Sequence, residues 1–203
     1  IDVYSYGIAI KCCCDAGELV RGYELLNELE KRNFSPDTVI YTTLIHGHCK
    51  AGDVENARLL FGKMEELGLA ANQHTYTAII NGFFQQGLKK EGFELYGKML
   101  DNGIPPSLHT YNCLMREYCA EGKLGYAHKL LVRMREGGVK ANVVSYNILI
   151  RGLCDKMKVW EGEKLLERMR GDGVSPNVVS YNTLMGGYCL IGKLHTAFNM
   201  LEQ

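Results

Sequence analysis

Apolar residues in this chain recur on a helical period, and that pattern recurs on a longer one. Between Val143 and Asn177 the segment VVSYNILIRGLCDKMKVWEGEKLLERMRGDGVSPN places Tyr146, Leu149, Ile150, Leu153 and Cys154 at i, i+3, i+4, i+7 and i+8. That is a single face of an α-helix. The same face appears as Tyr41, Leu44, Ile45, His48, Cys49 and as Tyr111, Leu114, Met115, Tyr118, Cys119. A second stripe follows it, Val54, Ala57, Leu60, Phe61, Met64 in one place and Leu124, Ala127, Leu130, Leu131, Met134 in another. The pattern predicts pairs of antiparallel helices. A tyrosine marks the frame at Tyr6, Tyr41, Tyr76, Tyr111, Tyr146 and Tyr181, each 35 residues after the last, with no insertion or deletion. A fixed period in the range of about 20 to 50 residues signals a stacked-repeat solenoid, so the predicted fold class is an all-α solenoid.

The punctuation agrees. Gly52, Gly87, Gly122 and Gly192 fall between the two stripes, where a left-handed glycine would close the first helix. Met157 holds that place in the fifth unit and should strain the turn by about 1 kcal/mol. Gly68, Gly103, Gly138 and Gly173 end the second helix, and Pro36, Pro105, Pro106 and Pro176 all lie at unit junctions, where no helical N–H is lost. The units run 3–37, 38–72, 73–107, 108–142, 143–177 and a truncated 178–203, with no linker or low-complexity tract between them. One continuous array over residues 1–203 is expected, a piece of a longer one, with its targeting peptide and end caps outside this stretch.

Composition narrows the functions. The net charge is zero, so a nucleic-acid partner would require the basic residues to gather on one face. Of the eight cysteines, Cys14, Cys49, Cys119, Cys154 and Cys189 occupy one slot of the first stripe, which Phe84 fills in the third unit. A slot that accepts Phe is a packing slot, and free Cys packs as a small hydrophobe. Cys12, Cys13 and Cys113 lie off it. No C-x-x-C or H-x-E occurs, so a structural zinc and a zinc deaminase site both lack ligands. Neither a metal nor a cofactor is expected, nor an enzyme. No apolar run is long enough for a membrane span. Trp160, the only tryptophan, falls early in a second helix and reads as surface packing.

The phrases VVSYNTLMGGYCLIGKL, VVSYNILIRGLC and IYTTLIHGHCKAGDVENARLLFGKM resemble the pentatricopeptide repeat family, in the class built of uniform 35-residue units. The tetratricopeptide repeat, the nearest rival, has a period of 34. The resemblance implies a right-handed superhelix of helix pairs in an organelle protein of a land plant or other eukaryote. It further implies single-stranded RNA bound one base per unit, read by two or three side chains. The implied reading positions are the residue after each tyrosine and the last of each unit. The first set is Gly7, Thr42, Thr77, Asn112, Asn147 and Asn182; the second is Asp37, Asn72, Ser107, Asn142 and Asn177. The first set lies beside the buried stripe and should point off the core. The second also suits helix N-caps.

Chemistry assigns the preferences. A carboxylate only accepts, which suits the imino N–H of U or G, whereas an amide N–H suits the unprotonated ring nitrogen of C or A. The family pattern adds that Asn after the tyrosine goes with pyrimidines and Thr with purines. Asn112 with Asn142, and Asn147 with Asn177, should favour C. Thr42 with Asn72 and Thr77 with Ser107 should favour A, and Asn182 a pyrimidine. Gly7 has nothing to read with, leaving a weak G through Asp37. The expected footprint, 5′ to 3′ along the chain, is G, A, A, C, C, pyrimidine. Tyr4, Val39, His74, His109, Val144 and Val179 are the implied base-sandwiching residues. Lys50 alone matches the family's phosphate-contacting lysine; Asp15, Gln85, Ala120, Asp155 and Leu190 stand at that place elsewhere.

The resulting expectation is a non-enzymatic RNA binder that splices, stabilises or matures a transcript, mitochondrial in the first instance and chloroplast as the alternative, alongside other RNA-processing factors. A helical-repeat scaffold for protein segments is the rival reading.

Overall fold

The computed structural model of the chain describes residues 2–200. Among the described residues there are twelve helices and no strand. They are α1 (Val3–Ala16), α2 (Leu19–Lys31), α3 (Thr38–Lys50), α4 (Val54–Glu66), α5 (Gln73–Gln85), α6 (Lys89–Asp101), α7 (Leu108–Ala120), α8 (Leu124–Glu136), α9 (Val143–Asp155), α10 (Val159–Gly171), α11 (Val178–Leu190) and α12 (Leu194–Asn199). Every odd-numbered helix begins on the first residue of a predicted unit. The last three residues of the sixth unit, 201–203, lie outside the described residues.

The residue ahead of each odd helix explains why it starts there. Asp2, Asp37, Asn72, Ser107, Asn142 and Asn177 are extended, and each side chain accepts a backbone N–H from the first turn. Such a cap contributes about 1 kcal/mol and satisfies a donor that the helix leaves open.

The turn inside each pair is a Schellman motif. After α3, Asp53 N–H donates to the His48 carbonyl at 2.9 Å and Gly52 N–H to that of Cys49 at 3.1 Å, with Gly52 at φ +81°. Met157 keeps this geometry without being glycine. Its φ is +59°, and Lys158 N–H still reaches the Leu153 carbonyl at 2.9 Å. The hydrogen bonds of the turn hold a side chain in a region that costs roughly 1–2 kcal/mol. Gly17 and Asn33 are further left-handed turn residues that the apolar pattern did not single out.

The helices gather into two compact units, Ile1–Pro106 and Ser107–Gln203. In the first, α1 packs on α2 and α3, and α3 on α4 and α5, with α5 on α6. The second repeats this scheme from α7 to α12. The marker residues Tyr41, Tyr76 and Tyr146 are buried, as are Leu44, Ile45, Leu149 and Ile150. Tyr181 is only half-buried.

Successive odd helices meet at a small residue. A Cβ placed on Gly47 would lie 2.9 Å from Cys14 Sγ, and one on Gly82, Gly152 or Gly187 would lie 2.7 Å from the Sγ of Cys49, Cys119 or Cys154. The cysteine slot therefore receives the glycine of the next unit. Burial pushes these thiols up, to about 12 at Cys49 and about 11 at Cys14, Cys119 and Cys154. Cys189 departs from the predicted buried series and is exposed. The glycine that covers each of the other four stands 33 positions on in the chain. Phe84 fits the same slot because Gly92 lies beneath it, where a Cβ would meet the ring at 2.5 Å.

Candidate nucleic-acid interface

The residues predicted to read bases all lie on the odd helices or cap them. Asp37, Asn72, Asn177 and Asn182 are exposed, and Gly7, Thr42, Thr77, Ser107, Asn142 and Asn147 are half-buried. Asn112 corrects the expectation that the residue after each tyrosine points off the core, since only 6% of it is exposed. Its Oδ1 is drawn inward by the Ser145 hydroxyl at 2.7 Å.

All five predicted closing residues act as caps. Capping and reading are compatible for Asn, because the cap uses only the oxygen. Backbone N–H can only donate, so the atom facing Ser145 N–H at 3.1 Å is Asn142 Oδ1, and the atom facing Ser180 N–H at 3.2 Å is Asn177 Oδ1. The amide NH2 is thereby turned away from the helix. At Asp37, Oδ1 accepts Ile40 N–H at 2.9 Å, which leaves Oδ2 as an outward acceptor.

The structure also brings together residues that the spacing did not reveal. The residue just before the tyrosine, Thr75, Thr110, Ser145 or Ser180, is fully buried. At Thr75, Ser145 and Ser180 the hydroxyl joins the two predicted reading positions of the preceding unit. Ser180 Oγ lies 2.7 Å from Asn147 Oδ1 and 3.2 Å from Asn177 Oδ1, and Asn147 Nδ2 donates to Asn177 Oδ1 at 3.3 Å. Ser145 Oγ likewise reaches Asn112 Oδ1 at 2.7 Å and Asn142 Oδ1 at 3.2 Å. Thr75 Oγ1 reaches Thr42 Oγ1 at 2.7 Å and Asn72 Oδ1 at 3.2 Å. The second unit has Ile40 there instead, beside Gly7.

The predicted sandwiching residues stand in solvent. Tyr4, Val39, Val144 and Val179 are among the exposed large apolar side chains, and His74 and His109 are exposed. Lys50, the last residue of α3, is exposed. Four residues after Gly7, Thr42, Asn112 and Asn147 come Lys11, His46, Arg116 and Arg151, also exposed. Residues at i and i+4 are neighbours on a helix surface, so three permanent cations lie one turn along from predicted reading positions. Basic residues at the ninth place of four of the six units were the signal for them, with Asn81 and Gly186 in the other two. Trp160 is half-exposed, with its edge on Tyr188 at 5.5 Å and Lys193 Nζ 4.4 Å from the ring, a surface packing role.

Among the described residues no group of three or more His, Cys, Asp or Glu side chains could hold a metal, and no helix is long and apolar enough to cross a membrane.

Repeated helix hairpins, an invariant length and variable polar positions on one set of helices define a helical-repeat protein of the solenoid class. The chain belongs to the PPR repeat family. Models of that repeat match residues 36–85, 75–116, 106–155 and 141–189, and also 4–34 and 179–203. The chain is 58% identical over 43 residues to the pentatricopeptide repeat-containing protein At4g11690 of Arabidopsis thaliana, which is 21% of this chain and 8% of that protein. It is 41% identical over 46 residues to protein Rf1, mitochondrial, of Oryza sativa subsp. indica, 23% of this chain and 6% of that one. The matched stretches thus span under a tenth of these relatives. Among solved structures, PPR10 from maize superposes with a TM-score of 0.72 at 21% identity, over 98% of this chain and 33% of PPR10. PPR10 in complex with an 18-nt psaJ RNA element gives 0.67 at 25% identity, over 100% of this chain and 28% of that one.

Proposed function

We propose that this chain binds single-stranded RNA along its odd-numbered helices, one base per unit, with the footprint G, A, A, C, C, pyrimidine read 5′ to 3′. The observation that carries this reading is the pair of Asn side chains in the fourth and fifth units, whose oxygens are engaged by the protein, so that the NH2 of Asn142 and of Asn177 is turned away from its helix. An amide donor there matches the N3 acceptor on the Watson–Crick edge of cytosine. The family supports it, as does the RNA carried by the related PPR10 structure. Bases would sit between the exposed side chains of Val144 and Val179 and their counterparts, with Lys11, Lys50, Arg116 and Arg151 meeting phosphates.

The role is that of a non-catalytic binder in organelle RNA processing. The mitochondrial designation of the relatives At1g80150 and Rf1 favours the mitochondrion of a plant cell, with the chloroplast as the alternative. In a gel shift, a short RNA containing AACC should be retarded at concentrations where poly-U is not. Equal retardation of both, or of neither, contradicts the reading and leaves a scaffold for protein segments in its place.

A further inference from the structure

We infer that the buried hydroxyl of Thr75, Ser145 or Ser180, next before a marker tyrosine, is a specificity-positioning residue for the base of the preceding unit. This rests on the one-base-per-unit reading and adds to it a residue that touches no base. A hydroxyl has one proton and two lone pairs. At Ser180 the oxygen receives Asn177 N–H at 3.1 Å, so its proton is available to Asn147 Oδ1 at 2.7 Å and Asn177 Oδ1 at 3.2 Å.

The orientation then follows in order. Ser180 N–H fixes Asn177 Oδ1, and Asn177 Oδ1 accepts Asn147 Nδ2, which leaves Asn147 Oδ1 for the hydroxyl. A flipped Asn147 would set oxygen against oxygen at Asn177, because Asn177 Oδ1 is fixed by Ser180 N–H. The same hydroxyl contacts hold at Ser145, with Asn112 and Asn142. Because the hydroxyl belongs to the next unit, two neighbouring units cooperate to present one pair of donors.

The first unit is the internal contrast. It has Gly7 after the tyrosine, and the following unit supplies Ile40 and no hydroxyl. A Cβ on Gly7 would stand 3.7 Å from Ile40 Cγ1, an ordinary contact, so a side chain fits there. What is missing is the partner that would hold its amide.

The test is Ser145→Ala in the 203-residue chain, with binding measured to RNAs that carry C or U opposite the fourth or the fifth unit. A base contact of this kind discriminates by about tenfold or more. Ser145→Ala should bring the C-over-U ratio at the fourth unit's base to within about threefold of unity on that scale. The ratio at the fifth unit's base should not change, although Ser145 lies within the fifth unit. Ser145→Thr should retain both ratios, since Thr75 makes the same two contacts elsewhere in the chain.

A uniform loss of affinity with both ratios intact overturns the inference and leaves the hydroxyl as a helix cap only. Gly7→Asn with Ile40→Ser gives a gain-of-function arm that does not depend on a weakened fold. The double variant should acquire a preference for U through Asp37 that neither single variant shows, and additive behaviour overturns the inference. Asn142→Asp is the control for the underlying reading. If it fails to move the fourth base from C toward U, the one-base-per-unit scheme has failed and this inference falls with it.

Discussion

At the scale of the residue, chemistry of similar kind takes opposite roles according to what faces it. Cys14, Cys49, Cys119 and Cys154 are buried thiols held well above the ordinary cysteine value by desolvation, and the glycine of the following unit seals each one. Cys12 and Cys189 are exposed. Alkylation with iodoacetamide at pH 8, followed by peptide mass mapping, should modify Cys12 and Cys189 quickly and the four buried thiols only on unfolding, because the thiolate is the reacting form. Rapid modification of Cys49 or Cys154 in the folded chain would mean that the slot is not closed. The closing residues show the same division of labour within one side chain. Asn142 and Asn177 give their oxygen to the helix and keep their NH2 for solvent, whereas Asp37 keeps an oxygen. That is the physical content of a donor at one unit and an acceptor at another.

At the scale of the element, much could be read from the sequence because it depends on spacing within a unit. The starts of all six odd helices, the glycine turns and the strained place of Met157 followed from a stripe, a cap and a left-handed residue. Contacts between units were harder to foresee. The closeness of Gly152 to Cys119, and the bond of Ser145 to Asn112, both join residues 33 apart. A stripe says which residues of a helix are buried and not which neighbour they meet. Gly92 stands where the neighbouring units have Ala57 and Ala127, and the cause, the Phe84 ring above it, lies in the packing and not in the stripe. Likewise the hydroxyls of Ser145 and Ser180 looked like ordinary first-turn residues until their partners in the preceding unit were seen. The inter-unit contact yields a coupled prediction. Gly152→Ala should lower stability by about 1–3 kcal/mol, the usual cost of overpacking. Adding Cys119→Ala should restore part of it, because the obstructing sulfur, 2.7 Å from the new Cβ, is then gone. Urea denaturation of the two single variants and the double variant measures the coupling, and strict additivity would contradict the contact.

At the scale of the whole molecule, the neutral net charge and the proposed RNA partner are reconciled by placement. Lys11, Lys50, Arg116 and Arg151 are exposed on the odd helices, and many other charges are spent in pairs, such as Lys63 with Glu30 at 2.9 Å and Lys98 with Glu65 at 2.6 Å. Four phosphate contacts imply a slope of log K against log salt of about −3, since each contributes about −0.7 on a single strand. A slope near zero would remove phosphate binding from the account. A slope of about −6 or steeper would require cations that these helices do not present. With a modest electrostatic contribution, sequence preference has to come from the bases themselves, and each good contact is worth about 1–3 kcal/mol.

The most direct measurement is therefore a change of message. Dissociation constants should be determined for the chain and for its Asn177→Asp variant, each with two RNAs that differ only by C or U at the base opposite the fifth unit. The account predicts that the chain prefers C and the variant prefers U, the two binding curves exchanging order. If both proteins rank the two RNAs alike, the outward amide of Asn177 does not read that base and the account is contradicted.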